Sequence, residues 1–128
     1  MTQDEAVQRW RKSAEENLQV ARDLMKLKHY DWALFMGQLA LEKLLKGLVI
    51  KVTDDAPPYI HDLVKLAIAA RLSLDNEKRE DFSQVSKFNI RARYEEDKYE
   101  LYKKATPEFT RGWMQKIEEY GLWIQKHY

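Results

Sequence analysis

The sequence contains no cysteine and few residues that form turns. Glycine and proline together account for 7 of its 128 residues, against an average usage of roughly 12%. Without cysteine, a disulfide framework, a thiol nucleophile and a cysteine-based metal site are excluded. The shortage of turn residues argues against a β-sandwich, a β-barrel or a glycine-rich nucleotide-binding fold.

Long apolar runs and an excess of one charge are also missing. No apolar run approaches the ~20 residues of a membrane span, and 22 basic residues nearly balance 21 acidic ones. Any binding of nucleic-acid phosphates must therefore come from a local patch. The first five residues are polar and acidic, unlike a signal peptide. We expect a cytoplasmic protein without a membrane partner, in one domain over residues 1–128.

Three long segments show the three-and-four spacing of apolar residues that is typical of helices. The first, residues 2–25, opens on a capping-box pattern. The second, residues 32–52, follows a predicted cap at Asp31, and it is apolar nearly all round, which predicts burial on more than one side. The third, residues 106–124, opens on threonine and proline, a strong helix start.

The middle of the chain predicts two short helices. They cover residues 61–72 and, after a cap at Asp75, residues up to 86. Residues 87–99 show no clear period and are interpreted as an ordered loop, after which residues 100–105 could add a helical turn. The fold class that follows is all-α, an up-and-down helical bundle with three long and two short helices and a crossover segment.

The second helix also predicts a homodimer. It has more apolar surface than a short bundle is expected to cover, and a second copy of the chain would cover the remainder.

The segment of residues 87–94 combines arginines with aromatic residues. Arg91 and Arg93 occur without an intervening acid, next to Tyr94. Guanidinium groups bind phosphate in a bidentate manner and aromatic rings stack on bases, so the segment suits a nucleotide or single-stranded RNA. Alternatively, the arginines pair with the acids at positions 95–97 and the aromatic residues hold the loop to the core.

A polar strip interrupts the second helix. Gln38, Glu42 and Lys46 are four residues apart and share one face. They form either an exposed strip with a surface ion pair, which contributes only a few tenths of a kcal/mol, or one wall of a polar cleft shared with Arg91 and Arg93.

His61 and Asp62 open the third helix. Asp62 suits the helix dipole in the first turn, while His61 is a cap, a loop anchor or a functional imidazole, since histidine titrates near neutral pH. The other two histidines, at positions 29 and 127, lie far away in the chain. Without a metal-binding spacing, no metal and no cofactor are expected.

Several segments together resemble the HEPN family, small helical domains found in prokaryotes beside minimal nucleotidyltransferases. The resemblance covers essentially the whole chain, and its strength comes from the order and spacing of the segments. They are Arg9-Trp10 with Ala14, Leu18 and Ala21; Tyr30-Asp31-Trp32-Ala33; residues 38–46; residues 57–63; and residues 89–94.

The resemblance implies an all-α bundle that usually dimerises through its long helices. It also implies a two-gene system in which a nucleotidyltransferase is the partner. In some members the HEPN chain is a metal-independent RNase toxin that the partner silences. The toxin's active site is an arginine followed, after four to six residues, by a histidine, and two copies contribute to one cleft.

Only half of that RNase motif is present here. Arg93 lies where the resemblance places the arginine, but Lys98 and Tyr99 stand five and six residues later, and no histidine lies between His61 and His127. Ordinary lysine and tyrosine side chains lose their proton only near pH 10, so they exchange protons poorly near pH 7. This favours binding over catalysis.

Three functions follow. The first is a binding module for nucleotide or RNA, formed by Arg91, Arg93 and Tyr94, that acts with a nucleotidyltransferase in a toxin–antitoxin-like pair. The second is a divergent RNase in which Arg93 stabilises the phosphorane charge and Tyr99, Lys98 or His61 moves the proton. The third is a purely structural partner whose dimer surface is its whole function.

Overall fold

The computed structural model describes all residues 1–128 as a bundle of six α-helices with one 3₁₀ turn and no strand. The predicted all-α fold is confirmed. The elements are α1 (Gln3–Lys26), α2 (Tyr30–Thr53), α3 (Leu63–Ala69), α4 (Asn76–Ser86), the 3₁₀ turn (Ile90–Ala92), α5 (Glu95–Lys104) and α6 (Pro107–Gln125).

Side-chain caps set the start of four helices. Thr2, Asp62, Asp75 and Thr106 each accept a hydrogen bond from the backbone N–H three residues later. The sequence predicted three of these caps, whereas it placed Asp62 one position too far into its helix. Such a bond satisfies one of the free N–H groups of the first turn.

Two helix boundaries differ from the prediction. Asp31 does not cap α2, because the helix already begins at Tyr30 and the carboxylate lies in its first turn. Helix α3 ends at Ala69 because Arg71 has a left-handed backbone with φ of 62°. That conformation lets the N–H of Leu72 bond back to the carbonyl of Ala67, which closes the helix end.

Helix α5 is the main element that the sequence missed. Residues 95–99 were predicted as loop but belong to this helix, so the bundle has three short helices instead of two. Leu101 is the helix's one buried residue, and a helix with a single anchor has no apolar stripe to detect. Three of its four acids lie in the first turn and two of its three lysines lie in the last, where each sign favours the helix dipole.

Helix α2 is the centre of the bundle. It is antiparallel to α1, from which only residues 27–29 separate it. It runs parallel to α6, since Gly37 lies against Ile117 while Leu44, two turns later, accepts a hydrogen bond from the hydroxyl of Tyr128. The crossover through α3, α4 and α5 brings the chain back and makes this parallel arrangement possible.

A single chain buries most of α2. Fifteen of its 24 residues are buried, and among them Leu34, Leu41 and Leu48 are at most 1% exposed. The sequence analysis expected α2 to have more apolar surface than the bundle covers, and this reason for dimerisation is wrong because α1, α6 and the crossover cover that surface. No helix is both long enough and apolar enough to cross a membrane.

Gly47 allows α1 and α2 to approach closely, and a pair of variants tests this. A Cβ atom at Gly47 would lie 2.9 Å from the Cβ of Trp10, too close for an atom so near the backbone. We expect Gly47→Ala to lower the free energy of unfolding by about 1–3 kcal/mol. Gly112 in α6 has no atom within 4 Å of the same position, so Gly112→Ala should raise it by about 0.5–1 kcal/mol. Urea denaturation measures both, and a stabilising Gly47→Ala would contradict the close approach.

Candidate functional site

A charged network lies inside the apolar helix α2. Glu42 is 3% exposed and Lys46 is 8% exposed. The amide of Gln38 donates to Oε1 of Glu42 at 3.0 Å, and Nζ of Lys46 donates to Oε2 at 3.0 Å. The interpretation of this strip as an exposed surface pair is therefore wrong.

Neighbouring elements cover the strip. The ammonium group of Lys46 lies 5.9 Å from the ring centroid of Trp10 on α1. The amide of Gln38 also bonds the backbone carbonyl of His61 at 3.4 Å. Since the spacing of four residues is the same in a surface pair and a buried one, only these tertiary contacts bury the network.

The environment of Glu42 changes its pKa in two opposing ways. Burial raises the pKa, because it disfavours the charged form. Hydrogen bonds from Gln38, Lys46 and His61, together with the charge of Lys46, outweigh burial and hold the pKa below its ordinary value of 4.5. Glu42 is therefore a carboxylate at neutral pH.

His61 connects this buried network to the surface. Its Nδ1 lies 3.0 Å from Oε1 of Glu42. Because a carboxylate can only accept, Nδ1 carries the hydrogen and Nε2 is left for another partner. The side chain of His61 is 56% exposed, so the imidazole is oriented from the inside and accessible from the outside.

His61 and Arg91 line the same hollow. Its volume is about 430 Å³, and its walls are Phe35, Leu39, His61, Asn89, Arg91 and Ala92. The guanidinium carbon of Arg91 lies 5.9 Å from the ring centroid of Phe35. The hollow thus combines a cation, an oriented imidazole and an apolar floor.

The 3₁₀ turn presents Arg91 because its flanks are anchored in the core. Phe88 and Ile90 are buried, and Phe88 makes edge-to-face contacts with Phe109 and Trp113 on α6. The buried side chain of Asn89 accepts a hydrogen bond from the N–H of Ala92, which fixes the turn. Arg91 is left as an exposed side chain on a rigid backbone.

Arg93 lies in a different hollow. This second hollow has a volume of about 680 Å³ and is lined by Gln84, Lys87, Phe88, Arg93, Asp97, Glu100, Leu101 and Lys104. Neither Arg91 nor Arg93 forms an ion pair, so the alternative in which the acids at positions 95–97 neutralise both arginines is wrong. The cleft predicted from both arginines is two separate hollows.

The structure therefore divides the predicted site residues into two groups. It brings His61 and Arg91 together, with Glu42 and Lys46 behind them. Tyr94 and Tyr99 line neither hollow and are 82% and 59% exposed.

The sequence analysis missed Phe35, Asn89 and Lys104 as wall residues. Phe35 lies within the second predicted helix and Asn89 within the predicted loop, and neither was proposed as a site residue. Lys104 reaches the second hollow only because residues 95–104 are helical. The acids at positions 95–97 and the lysines at positions 103 and 104 were the sequence signal for this helix, because acids favour the start of a helix and bases favour its end.

Comparisons with known proteins identify the fold and leave the site open. The family model for the HEPN domain matches residues 7–126, nearly the whole chain. The chain belongs to the HEPN family. It is also similar to the crystal structure of TT1696 from Thermus thermophilus, with a TM-score of 0.78, 20% identity, and coverage of 95% of this chain and 98% of that one. At that identity the likeness shows a shared fold alone. A search of curated proteins found no match.

The buried pair in α2 of this HEPN chain predicts a specific pattern of stability. Glu42→Gln removes the carboxylate and leaves the charge of Lys46 buried, so we expect the free energy of unfolding to fall by about 2–4 kcal/mol near pH 7. The double variant Glu42→Leu with Lys46→Met should lie within about 1 kcal/mol of wild type, since an apolar pair replaces both charges. Urea denaturation measures the three proteins.

The effect of Glu42→Gln also depends on pH. Because the folded pKa of Glu42 is lowered, its carboxylate stabilises the fold above the ordinary value of 4.5. That contribution is lost as the pH falls through the folded pKa. The difference in unfolding free energy between wild type and Glu42→Gln should therefore shrink in acid, and a difference that grows below pH 4.5 would contradict this assignment.

Proposed function

We propose that this HEPN chain is a binding module for the phosphates of a nucleotide or RNA. Arg91 in the first hollow is its main contact. The observation that carries the proposal is the unpaired guanidinium of Arg91 in one hollow with an imidazole that Glu42 orients. A guanidinium without an acidic neighbour keeps its donors for an anion.

The second hollow extends this proposal to longer ligands. Lys87, Arg93 and Lys104 place three cations around it, while Asp97 and Glu100 offset part of their charge. A single-stranded RNA could place one of its phosphates at Arg91 and another, further along the strand, near Arg93. A free nucleotide offers phosphates at only one end, so the two hollows fit RNA better. Within the proposal, the chain acts as a homodimer with a minimal nucleotidyltransferase in a toxin–antitoxin-like pair.

Binding of a fluorescein-labelled single-stranded RNA of about 12 nucleotides tests the role of Arg91 by fluorescence anisotropy. Arg91→Ala should raise Kd roughly tenfold and reduce the salt dependence by about one phosphate contact. Arg79→Ala removes an exposed arginine of α4 and should leave Kd unchanged. Equal losses in both variants would reject a site at Arg91. Competition by ATP distinguishes a nucleotide from RNA as the preferred ligand.

Complex formation with the nucleotidyltransferase encoded nearby tests the structural alternative. If the complex is tight and survives loss of both Arg91 and Arg93, while neither RNA nor ATP binds, the dimer surface is the whole function. A complex whose formation changes with RNA or ATP bound at Arg91 would support the binding module.

The contact between His61 and Glu42 favours one further function, RNA cleavage without the motif histidine. Because the Glu42 carboxylate accepts a hydrogen bond from Nδ1–H, Nε2 of His61 is left free to act as a base. In this reaction Nε2 takes the proton of a ribose 2′-hydroxyl and the 2′-oxygen attacks phosphorus. The bond to the 5′-oxygen breaks, which leaves a 2′,3′-cyclic phosphate. The 5′-oxygen takes a proton from water, and the hydroxide that forms takes the proton from Nε2. Arg91 would stabilise the charge on phosphorus.

Cleavage of a mixed RNA in the presence of EDTA tests this second function. If wild type cleaves, His61→Asn should lower the rate by about 10²-fold or more while RNA binding persists. Arg93→Ala should have a smaller effect than Arg91→Ala. No cleavage by wild type would leave the binding function alone, and cleavage that needs Arg93 but not His61 would place the reaction at the family motif.

A further inference from the structure

An apolar hollow lies between α1 and α6, with α2 as its floor. This α1–α6 hollow has a volume of about 530 Å³, and none of its wall residues lines the two hollows described above. Its apolar walls are Ala14 and Leu18 of α1, Ala40, Leu41 and Leu44 of α2, and Leu122 of α6. Apolar walls with a few polar groups at the rim are typical of sites for small molecules.

Gly121 of α6 helps to keep the hollow open. A Cβ atom at this position would lie 3.8 Å from Leu44 and 3.9 Å from Leu41, which is ordinary van der Waals contact. The packing of α6 on α2 therefore does not require glycine, although glycine is less stable than alanine within a helix. Unfilled apolar space also loses packing contacts. The space is retained at a cost in stability that a bound molecule would offset.

Two arginines of α1 bridge to α6, one toward each end of the hollow. Arg22 donates to the carboxylate of Glu118 at 3.0 and 2.8 Å, and the carboxylate of Glu15 lies 3.5 Å from the same guanidinium. Arg11 donates to the side-chain oxygen of Gln125 at 3.2 and 2.9 Å. The two arginines are 11 residues apart in α1, which is about 16 Å along the helix axis.

The two ends of the hollow differ in charge. At one end, two acids face the single cation of Arg22, so a further carboxylate is repelled there. At the other end, Arg11 forms no ion pair, and its hydrogen-bond partner Gln125 is neutral. The Arg11 end therefore attracts an anionic group, and the rest of the hollow suits an apolar one.

We propose that the α1–α6 hollow binds an aliphatic carboxylate of medium chain length. The alkyl chain lies along the apolar walls and points toward Arg22. The carboxylate accepts hydrogen bonds from Arg11, whose bonds to Gln125 use only two of its five N–H groups. Such a ligand contacts all three long helices at once. It binds without RNA, so this site and the proposed function can fail independently.

Calorimetric titration with sodium octanoate below its micelle concentration tests the apolar part of the site. Wild type should bind one octanoate per chain. Hexanoate buries two fewer methylene groups, so its Kd should be roughly tenfold higher. Absence of octanoate binding at millimolar concentration would overturn the proposal, as would equal affinities for the two chain lengths.

Arg11→Gln tests the placement of the carboxylate. It removes the charge, and the Kd for octanoate should rise roughly tenfold, while the Kd for octanol, which has no carboxylate, should not change. Lys12→Gln removes a charge from the neighbouring, exposed position of α1 and should leave both values unchanged. Equal effects of the two variants on octanoate would overturn a carboxylate site at Arg11.

Gly121→Ala tests the location of the alkyl chain. The added methyl group occupies part of the hollow, so octanoate should bind roughly threefold more weakly. Gly112→Ala is the matched control in the same helix, at a position with no atom within 4 Å of the new methyl group, and it should leave Kd unchanged. Circular dichroism checks that each variant is folded. An unchanged Kd in Gly121→Ala, or the same loss in both variants, would overturn binding in the α1–α6 hollow.

Discussion

The carboxylate of Glu42, buried in the middle of α2, constrains the rest of the molecule. An unpaired buried carboxylate costs several kcal/mol, so the fold must bring donors to it. Two of these donors, Gln38 and Lys46, belong to α2 itself. The third, His61, lies near the end of the loop of residues 54–62 that connects α2 to α3. The chain must therefore turn back onto α2 before α3 begins, and that return starts the crossover that covers the central helix.

The same constraint links stability to function. A pair of apolar residues would fill the space of Glu42 and Lys46 at little or no cost in stability, so the pair is poorly explained by stability. The network also leaves Oε1 of Gln38 buried without a hydrogen-bond partner, a further cost that an apolar core avoids. What the arrangement does achieve is a fixed orientation of the His61 imidazole at the mouth of a hollow.

Much of the fold could be predicted because its signals are local. Apolar stripes and the caps at Thr2, Asp75 and Thr106 depend only on neighbours in the chain. Helix α5 has one buried residue and so gives no stripe. The burial of Glu42 could not be predicted either, because the spacing of residues 38, 42 and 46 is the same on an exposed helix face. The contacts that bury the network come from Trp10 and His61, which are more than eighteen residues away from Glu42 in the chain.

The separation of Arg91 from Arg93 follows from the local backbone. A 3₁₀ turn has about three residues per turn, so a step of two positions rotates the side chain by roughly 240° and leaves the two directions about 120° apart. Arg93 also leaves the turn with an extended backbone, which carries it toward α5. Under the proposed function, a ligand that contacts both arginines must therefore extend around this turn from one hollow to the other.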